Sequence, residues 1–266
     1  MALPRLQLFE FNDASWAPAA LRETLTEALS RAIRWGKLTD GLLDPLARCL
    51  EKAGTSKVLD LCAGAGGPAS VLSAAMAARG HPVHFLMSDL YPSIPHWEDA
   101  CREHPERLGF VRESVDATAI PPGLVEGRVP IIVNALHHFP PPLAKSVLRG
   151  MCEHAPAIFV GETLTRNPLS FAAMGAVGLV GLYSTPFFAK DKRLAKTALT
   201  WLSPVALAAS VWDGTVSSMR TYLPEELHEM VADLAGWTWS WGEFAHSGGL
   251  GVGNWFSGQR ASDASP

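Results

Sequence analysis

Residues 58–69 read VLDLCAGAGGPA, a short apolar run that meets a carboxylate and then a cluster of glycines. Valine and leucine residues in such a run favour a strand, and clustered glycines favour a tight turn. We therefore expect a strand that carries Asp60 near its end, a glycine loop, and a helix that begins close to Pro68. A junction of this kind binds nucleotide-like cofactors in several classes of protein.

Four further apolar segments follow this junction, separated by sequence that is typical of helices and loops. They are PVHFLMSD, which ends at Asp89; LGFVRESVDA, which predicts a third strand reaching Asp116; PIIVNALHHF, which turns polar at Asn134; and AIFVGETL, which ends near Glu162. Strands that alternate with helices predict βαβ units and a parallel sheet. The carboxyl ends of the five strands then lie along one edge, where such sheets bind ligands.

The two ends of the chain complete the predicted organisation. WTWSWGEF and VGNWFSGQR alternate in polarity around a glycine-rich turn, so an α/β sheet of seven strands is expected to end in an antiparallel hairpin. Residues 1–50 predict an N-terminal helical cap and residues 51–261 the α/β domain, with an apolar helical lid inserted at 167–212. Residues 262–266 predict a disordered tail.

Composition favours a small molecule as the partner. The 266-residue chain has a net charge of −4, whereas a nucleic-acid surface needs clustered Lys and Arg. Its four cysteines are widely spaced and form no C-x-x-C pair, which argues against a disulfide framework or a metal site and is typical of the cytoplasm. The uncharged segments 167–189 and 197–212 approach the roughly 17 to 25 residues of a membrane span. Gly175, Gly178, Gly181 and Pro186 interrupt the first segment and Pro204 interrupts the second, so we expect no span.

The glycine loop fits two cofactors. Gly64, Gly66 and Ala69 satisfy the G-x-G-x-x-A pattern, and Asp89 follows at about the twenty-residue spacing of a dinucleotide fingerprint. An NAD-dependent oxidoreductase is therefore one interpretation of the sequence.

Three features favour S-adenosylmethionine (SAM) instead. Asp60 precedes Gly64, where a buried carboxylate needs a partner such as a cationic ligand amine. Pro68 removes a backbone N–H from the start of the next helix, and a pyrophosphate would require that donor. A helical segment before the first strand and the antiparallel pair at the end of the sheet are the third feature.

With these features, roughly residues 50–260 resemble the class I SAM-dependent methyltransferases, which have a Rossmann-like fold. In that family the loop after the first strand holds the methionine part of SAM, the acid ending the second strand holds the ribose, and residues after the third strand meet adenine. The fourth-strand segment lines the methionine side and the substrate. The resemblance implies contacts to SAM from Asp60, Cys62, Gly64, Gly66, Asp89, Leu90, Asp116, Ala117 and Asn134, with Ala135 and Leu136 nearby. Cys62 departs from the family pattern, which has its first glycine at that position.

A narrower resemblance covers the two ends. FEFNDASWAPAALR (9–22) and WDGTVSSMRTY (212–222) are similar to segments of a bacterial subgroup of these enzymes. The chain also resembles the azetidine-2-carboxylate synthases, which cyclise SAM. Methyl transfer to a small molecule is the first interpretation, and attack of SAM's own α-amine, with release of methylthioadenosine, is the alternative. A SAM-binding or membrane-associated module without catalysis is a third, motivated by the uncharged segments.

Several polar residues are candidates for direct roles in the reaction. Asn134 interrupts an apolar strand, and a buried amide without partners is costly, so it should bind a ligand or a structural neighbour. His137 is a candidate general base, although a hydrogen-bonded structural histidine is the commoner case. Polar residues in 212–222 either form a network or face a ligand. The candidates for catalysis are Asn134, His137, Tyr183, Ser217 and Tyr222, and Arg22 is a candidate partner of the SAM carboxylate.

Overall fold

The computed structural model describes residues 3–167, 171–172, 174–249 and 251–261. The chain forms two compact units, which are described separately. The helical unit comprises Met1–Leu38, Leu164–Thr221 and Ala245–Val252, and the sheet unit comprises Thr39–Thr163, Tyr222–Phe244 and Gly253–Pro266. The predicted tail 262–266 lies outside the described residues, and the predicted boundaries at 50, 167 and 212 stay predictions.

A seven-stranded sheet organises the sheet unit. Its strands are β1 (Lys57–Leu61), β2 (His84–Met87), β3 (Leu108–Phe110), β4 (Val129–Val133), β5 (Ala157–Glu162), β6 (Trp237–Ala245) and β7 (Val252–Arg260). Their order across the sheet is β3-β2-β1-β4-β5-β7-β6. Strands β1 to β5 pair in parallel, and β7 is antiparallel to β5. The predicted α/β sheet with antiparallel strands at its end is confirmed.

The third strand is shorter than the sequence predicts. The expected strand reaching Asp116 is wrong, because β3 ends at Phe110. The ladder between β2 and β3 stops where Met87 pairs with Phe110, and the exposed Arg112 and Glu113 follow. Charged side chains have no place in a strand covered on both faces, so the chain leaves the sheet there.

The helices are distributed between the two units. They are α1 (Ala19–Gly36), α2 (Leu43–Ala53), α3 (Gly67–Ala78), α4 (Ile94–Glu103), α5 (Pro122–Val125), α6 (Pro141–Glu153), α7 (Gly175–Tyr183), α8 (Thr185–Phe188), α9 (Arg193–Thr197), α10 (Val205–Arg220) and α11 (Pro224–Val231). Short 3₁₀ turns cover Asp40–Leu42, Leu136–His138 and Ser247–Gly249, and a π turn covers Ala198–Leu202. Helices α1 and α7 to α10 belong to the helical unit.

The parallel strands are buried on both faces, so they are almost continuously apolar. Successive side chains of a strand point to opposite faces. Leu59, Ile132 and Ile158 pack in one core with residues of α6 and α11. The neighbouring residues along the chain pack in a second core with α2 and α3. Each fully buried aliphatic side chain contributes about 1.5–3 kcal/mol to the stability of the folded state. This packing therefore fixes the positions of the strand ends that carry the polar residues.

Helix α7 explains one glycine of the apolar insertion, Gly181. It packs closely on α1, and a Cβ atom at Gly181 would lie 2.6 Å from the carbonyl oxygen of Ala28.

Among the described residues, no single helix is long and apolar enough to cross a membrane. One bent pair, Arg193–Leu202 with Val205–Arg220, passes the same test of length and composition, with a bend of 81°.

Candidate functional site

The glycine loop between β1 and α3 depends on residues with a left-handed backbone. Cys62, Gly64 and Gly66 have φ angles of 58°, 53° and 79°. A Cβ atom at Gly66 would also lie 2.8 Å from the Sδ atom of Met87, so glycine is required at this position on two grounds. The left-handed conformation of Cys62 gives a physical reason for a glycine at this position in the related pattern.

Asp89 holds this loop in place. Its Oδ2 atom accepts a hydrogen bond from the backbone N–H of Gly64 at 2.9 Å, and its Oδ1 atom accepts one from Tyr91 at 2.9 Å. The indole N–H of Trp97 donates to the carbonyl oxygen of Gly64 at 3.0 Å. Each carboxylate oxygen has more than one lone pair, so Asp89 retains the capacity to accept hydroxyl groups of a ligand.

Asp60 is a buried carboxyl group that lacks a complete set of partners. It lies near the end of β1 and is 2% exposed. Its Oδ2 atom is buried and has no hydrogen-bond donor among the residues that the structure describes. Burial, and secondarily the negative charge of Asp89, raise the pKa of Asp60 to about 8. A cation placed beside this oxygen would restore the ionised form.

Asn134 is the second incompletely satisfied group, at the end of the adjacent strand β4. Its Oδ1 atom accepts hydrogen bonds from the backbone N–H of Thr163 at 2.7 Å and from the Thr163 hydroxyl at 2.9 Å. These donors fix the orientation of the amide, which leaves its Nδ2 group as the donor. That Nδ2 group is buried and has no acceptor within the described part of the chain. Asn134 also adopts a φ of 55°, an uncommon conformation for a residue other than glycine.

His137 is held by Glu162, a residue whose role the sequence analysis missed. The Nδ1 atom of His137 lies 2.8 Å from Oε2 of Glu162, and its backbone N–H donates to Oε1 at 3.2 Å. Both side chains are buried, and the His138 ring lies 4.3 Å from the His137 ring. The carboxylate fixes the ring with a proton on Nδ1. Because β4 and β5 are neighbours, an acid ending β5 was the available signal for this pair.

The predicted adenine segment follows β3. Asp116 forms an ordinary turn, in which its Oδ1 atom accepts from the backbone N–H and the hydroxyl of Thr118 at 2.8 and 2.7 Å. These hydrogen bonds lower the pKa of Asp116. Ala117 is buried in the core, and Leu90 is half-exposed and accepts a hydrogen bond from Ser114.

The last four predicted site residues are divided between the two units. Tyr222, in the sheet unit, is buried and donates its hydroxyl to the carbonyl oxygen of Phe139 at 2.6 Å. Arg22, Tyr183 and Ser217 belong to the helical unit. The Nε atom of Arg22 is buried without an acceptor among the described residues, and Tyr183 is partly exposed. The Ser217 hydroxyl donates to Glu10 at 3.0 Å.

The two segments of the narrower resemblance contact each other in the helical unit. Asp213 accepts hydrogen bonds from the backbone N–H groups of Phe11 and Asn12 at 2.7 and 3.0 Å. Arg220 pairs with Glu10 at 2.9 Å and with Asp13 at 3.2 Å. Burial raises the pKa of Asp213, and the two backbone N–H groups oppose that shift. The sequence left a network or a ligand site open for these residues, and they form a network.

Comparisons with known proteins give only distant similarities. No family model and no curated protein matches the chain. Among solved structures, magnesium protoporphyrin IX methyltransferase (ChlM) from Synechocystis PCC 6803 with bound SAM is 11% identical, with 94% of this chain and 88% of that chain covered and a TM-score of 0.48. The plantazolicin methyltransferase BpumL in complex with SAH is 12% identical, with 90% and 99% covered and a TM-score of 0.46.

A third similar structure, the mitomycin 7-O-methyltransferase MmcR, is 13% identical. The alignment covers 90% of this chain but 55% of that one, with a TM-score of 0.49. The three scores lie below 0.5, so the fold assignment rests on the strand order in the sheet unit. That order confirms the expected Rossmann-like sheet of the class I methyltransferase type.

Proposed function

We propose that the protein is a SAM-dependent methyltransferase that acts on a small molecule, with SAM bound at the carboxyl ends of β1, β2 and β4. The observation that carries this proposal is the buried Oδ2 atom of Asp60, which lacks a donor among the described residues beside a glycine loop. A buried carboxylate is costly unless a cation or a donor compensates it. The ammonium group of SAM supplies both.

Asp60 and Asn134 complement the two ends of an amino acid. The amino-acid end of SAM carries an ammonium group, which donates hydrogen bonds, and a carboxylate, which accepts them. Asp60 offers a buried acceptor, and Asn134 offers a buried donor on the neighbouring strand. One acceptor and one donor at adjacent strand ends form a set suited to a zwitterion.

Pro68 and Asp60 both disfavour a dinucleotide. A pyrophosphate binds where backbone N–H groups converge at a helix start, and Pro68 lacks this group in the first turn of α3. A carboxylate at Asp60 would also repel the phosphates. Asp89 is the proposed acceptor for the ribose hydroxyls, and the turn at Asp116 with Ala117 is the proposed wall for adenine.

The proposed methyl transfer requires that SAM is held in position and that a base receives one proton from the methyl acceptor. Bound SAM supplies an electrophilic methyl group, and the glycine loop and Asn134 hold its amino-acid end. His137, oriented by Glu162 on Nδ1, is the proposed general base that receives the acceptor's proton on Nε2. Tyr183, Ser217, Tyr222 and Arg22 stay candidates for contacts with substrate or SAM.

Ligand-dependent stability tests the cofactor. SAM and S-adenosylhomocysteine are expected to raise the melting temperature, and NAD is expected to leave it unchanged, because only a ligand bound to the folded state stabilises it. Stabilisation by NAD alone would overturn the proposal.

Incubation with SAM alone, followed by mass spectrometry, tests the reaction. We expect no turnover until a methyl acceptor is added, and then S-adenosylhomocysteine as product. Release of methylthioadenosine with a cyclised amino acid from SAM alone would replace methyl transfer by the azetidine-forming reaction.

A further inference from the structure

Four exposed aromatic side chains of the helical unit pack in two pairs, and the consecutive residues Phe187 and Phe188 belong to one pair each. Trp35, Phe187, Phe188 and Trp201 have exposed fractions between 43% for Trp35 and 67% for Phe187. The ring centroids of Trp35 and Phe188 are 5.5 Å apart, and those of Phe187 and Trp201 are 5.4 Å apart. We refer to these four residues as the aromatic patch. Exposed apolar surfaces of this kind mark interaction sites.

Trp201 of the aromatic patch is held in place by a hydrogen bond, and two exposed leucines lie in the same segment of the sequence. The indole N–H of Trp201 donates to the carbonyl oxygen of Tyr183 at 3.0 Å, which fixes the ring on the end of α7. Leu202 follows Trp201 in the π turn, and Leu194 lies in α9; both are more than 80% exposed (82% and 89%). Leu202 and Leu194 bury little of their surface against the rest of the protein, so their side chains are available to contact another surface.

Positive charge borders the aromatic patch in the sequence on both sides. Residues 31–38 and 183–205 together contain seven Lys or Arg residues and one Asp, in a chain whose net charge is −4. The carboxylate of Glu23 pairs with Lys192 and Lys196, and that of Glu27 with Arg31 and Lys196. The exposed cations outside these pairs include Arg34 and Lys37 beside Trp35, and Arg193 beside Leu194.

We propose that this face binds the surface of a membrane that contains anionic phospholipids. Tryptophan, phenylalanine and leucine enter the boundary between headgroups and acyl chains, while Lys and Arg pair with the phosphates. Each cation near an anionic bilayer adds to the attraction. A second copy of the chain fits less well, because a two-fold contact would place the cations of one face against those of the other.

Vesicle co-sedimentation of the full-length protein tests this proposal. Binding is expected to vesicles of phosphatidylcholine mixed with phosphatidylserine, and to fall when salt is raised or phosphatidylserine is omitted. The variant Phe187→Ser with Leu202→Ser should lower the bound-to-free ratio by about tenfold. Arg34→Glu with Arg193→Glu should lower it by a similar factor, about tenfold.

Matched control variants separate this surface from general effects. Leu143→Ser changes an exposed leucine of α6, and Arg102→Glu with Lys145→Glu makes the same charge change on the sheet unit. Both controls should bind vesicles as the wild type does. Equal loss in the controls, or binding to pure phosphatidylcholine at high salt, would overturn the proposal. A wild-type dimer that the aromatic variant makes monomeric, without vesicle binding, would also overturn it in favour of self-association.

Discussion

Buried charged residues are compensated differently in the two units. In the helical unit, Arg220 and Glu10 are both nearly inaccessible and pair at 2.9 Å. In the sheet unit, Asp60 is equally buried, yet its Oδ2 atom has no donor among the described residues. Burial alone therefore does not distinguish a structural group from a binding group. The Nε atom of Arg220 also lacks an acceptor among the described residues, but the charge of Arg220 is paired with Glu10, whereas Asp60 has no ion pair in the described part of the chain.

The same comparison gives the segments 9–22 and 212–222 a structural role. FEFND and WDGTVSSMR supply the partners of one network, so each segment requires the other for the fold of the helical unit. The glycine loop and the ends of β1 and β4 supply polar groups that exceed their internal partners. Such an excess at the carboxyl edge of a parallel sheet is expected of a ligand site.

Removing the central cation of the network should have the largest effect. Arg220→Met is expected to lower the free energy of unfolding by about 3–5 kcal/mol, because Glu10 would stay buried without the positive charge of Arg220. Urea denaturation measures the change. The control Arg102→Met removes an exposed arginine and should change the same quantity by less than about 0.5 kcal/mol. A loss below about 1 kcal/mol for Arg220→Met would contradict the structural role of this network.

Filling the glycine loop should have the next largest effect. Gly66→Ala is expected to cost about 3 kcal/mol, because the new Cβ atom combines a left-handed backbone with a contact 2.8 Å from Met87. Gly127 has a φ of 69° with nothing within 4 Å of its Cβ position. Gly127→Ala therefore isolates the backbone cost, about 1 kcal/mol. Equal losses in the two variants, measured by urea denaturation, would show that the loop has room at Gly66.

The pH dependence of stability should identify the carboxyl group that lacks partners. The folded-state pKa of Asp60, about 8, lies above the ordinary aspartate value of 3.8, so the folded state binds more protons than the unfolded state between these values. The Asp60 contribution is thus full below about pH 4 and is lost as the pH rises through 8. Asp60→Asn removes this loss, and its stability relative to wild type should rise by about 2 kcal/mol from pH 5 to about pH 6.5, at about 1.4 kcal/mol per pH unit.

The exposed Asp44 provides the control for that measurement. Asp44→Asn removes an acid that pairs with Arg79 on the protein surface, so its stability relative to wild type should show no comparable rise with pH. The same pH trend in both variants would assign the effect to net charge instead of to Asp60.

The smallest expected effect concerns Cys62. Its left-handed backbone, with a φ of 58°, is unfavourable for cysteine and ordinary for glycine. Cys62→Gly should leave the free energy of unfolding within about 0.5 kcal/mol of wild type, because relief of strain offsets lost packing. Ala63→Gly gains no such relief and should lower it by about 1 kcal/mol. A larger loss for Cys62→Gly than for Ala63→Gly would contradict the strain.

Strand positions followed from the sequence because they depend on local patterns. The apolar runs of β1, β4 and β5 are long enough to be recognised, and the polar residue after each run marks its end. The predicted end of β3 was wrong because VRES lacks a decisive alternation, and the pairing with β2 stops at Phe110, before the exposed Arg112 and Glu113. Asp60 and Asn134 could be proposed because polar residues interrupt apolar strands there.

Partners distant in sequence could not be predicted in the same way. Arg220 and Glu10 are separated by 210 residues, and no local pattern specifies that they meet. Glu162 was recognised only as the end of a strand, since its contact with His137 depends on the order of β4 and β5 in the sheet. The aromatic patch likewise joins residues of α1, α8 and the π turn that periodicity alone does not connect.

Calorimetric titration of SAM into wild type and Asp60→Asn tests the proposed cofactor site most directly. At pH 8, Asp60→Asn should weaken SAM binding by roughly tenfold to a hundredfold, because it removes a charge-assisted hydrogen bond to the ligand ammonium. Asp44→Asn should bind SAM with the wild-type Kd. An unchanged Kd for Asp60→Asn would show that the buried carboxyl group does not hold SAM.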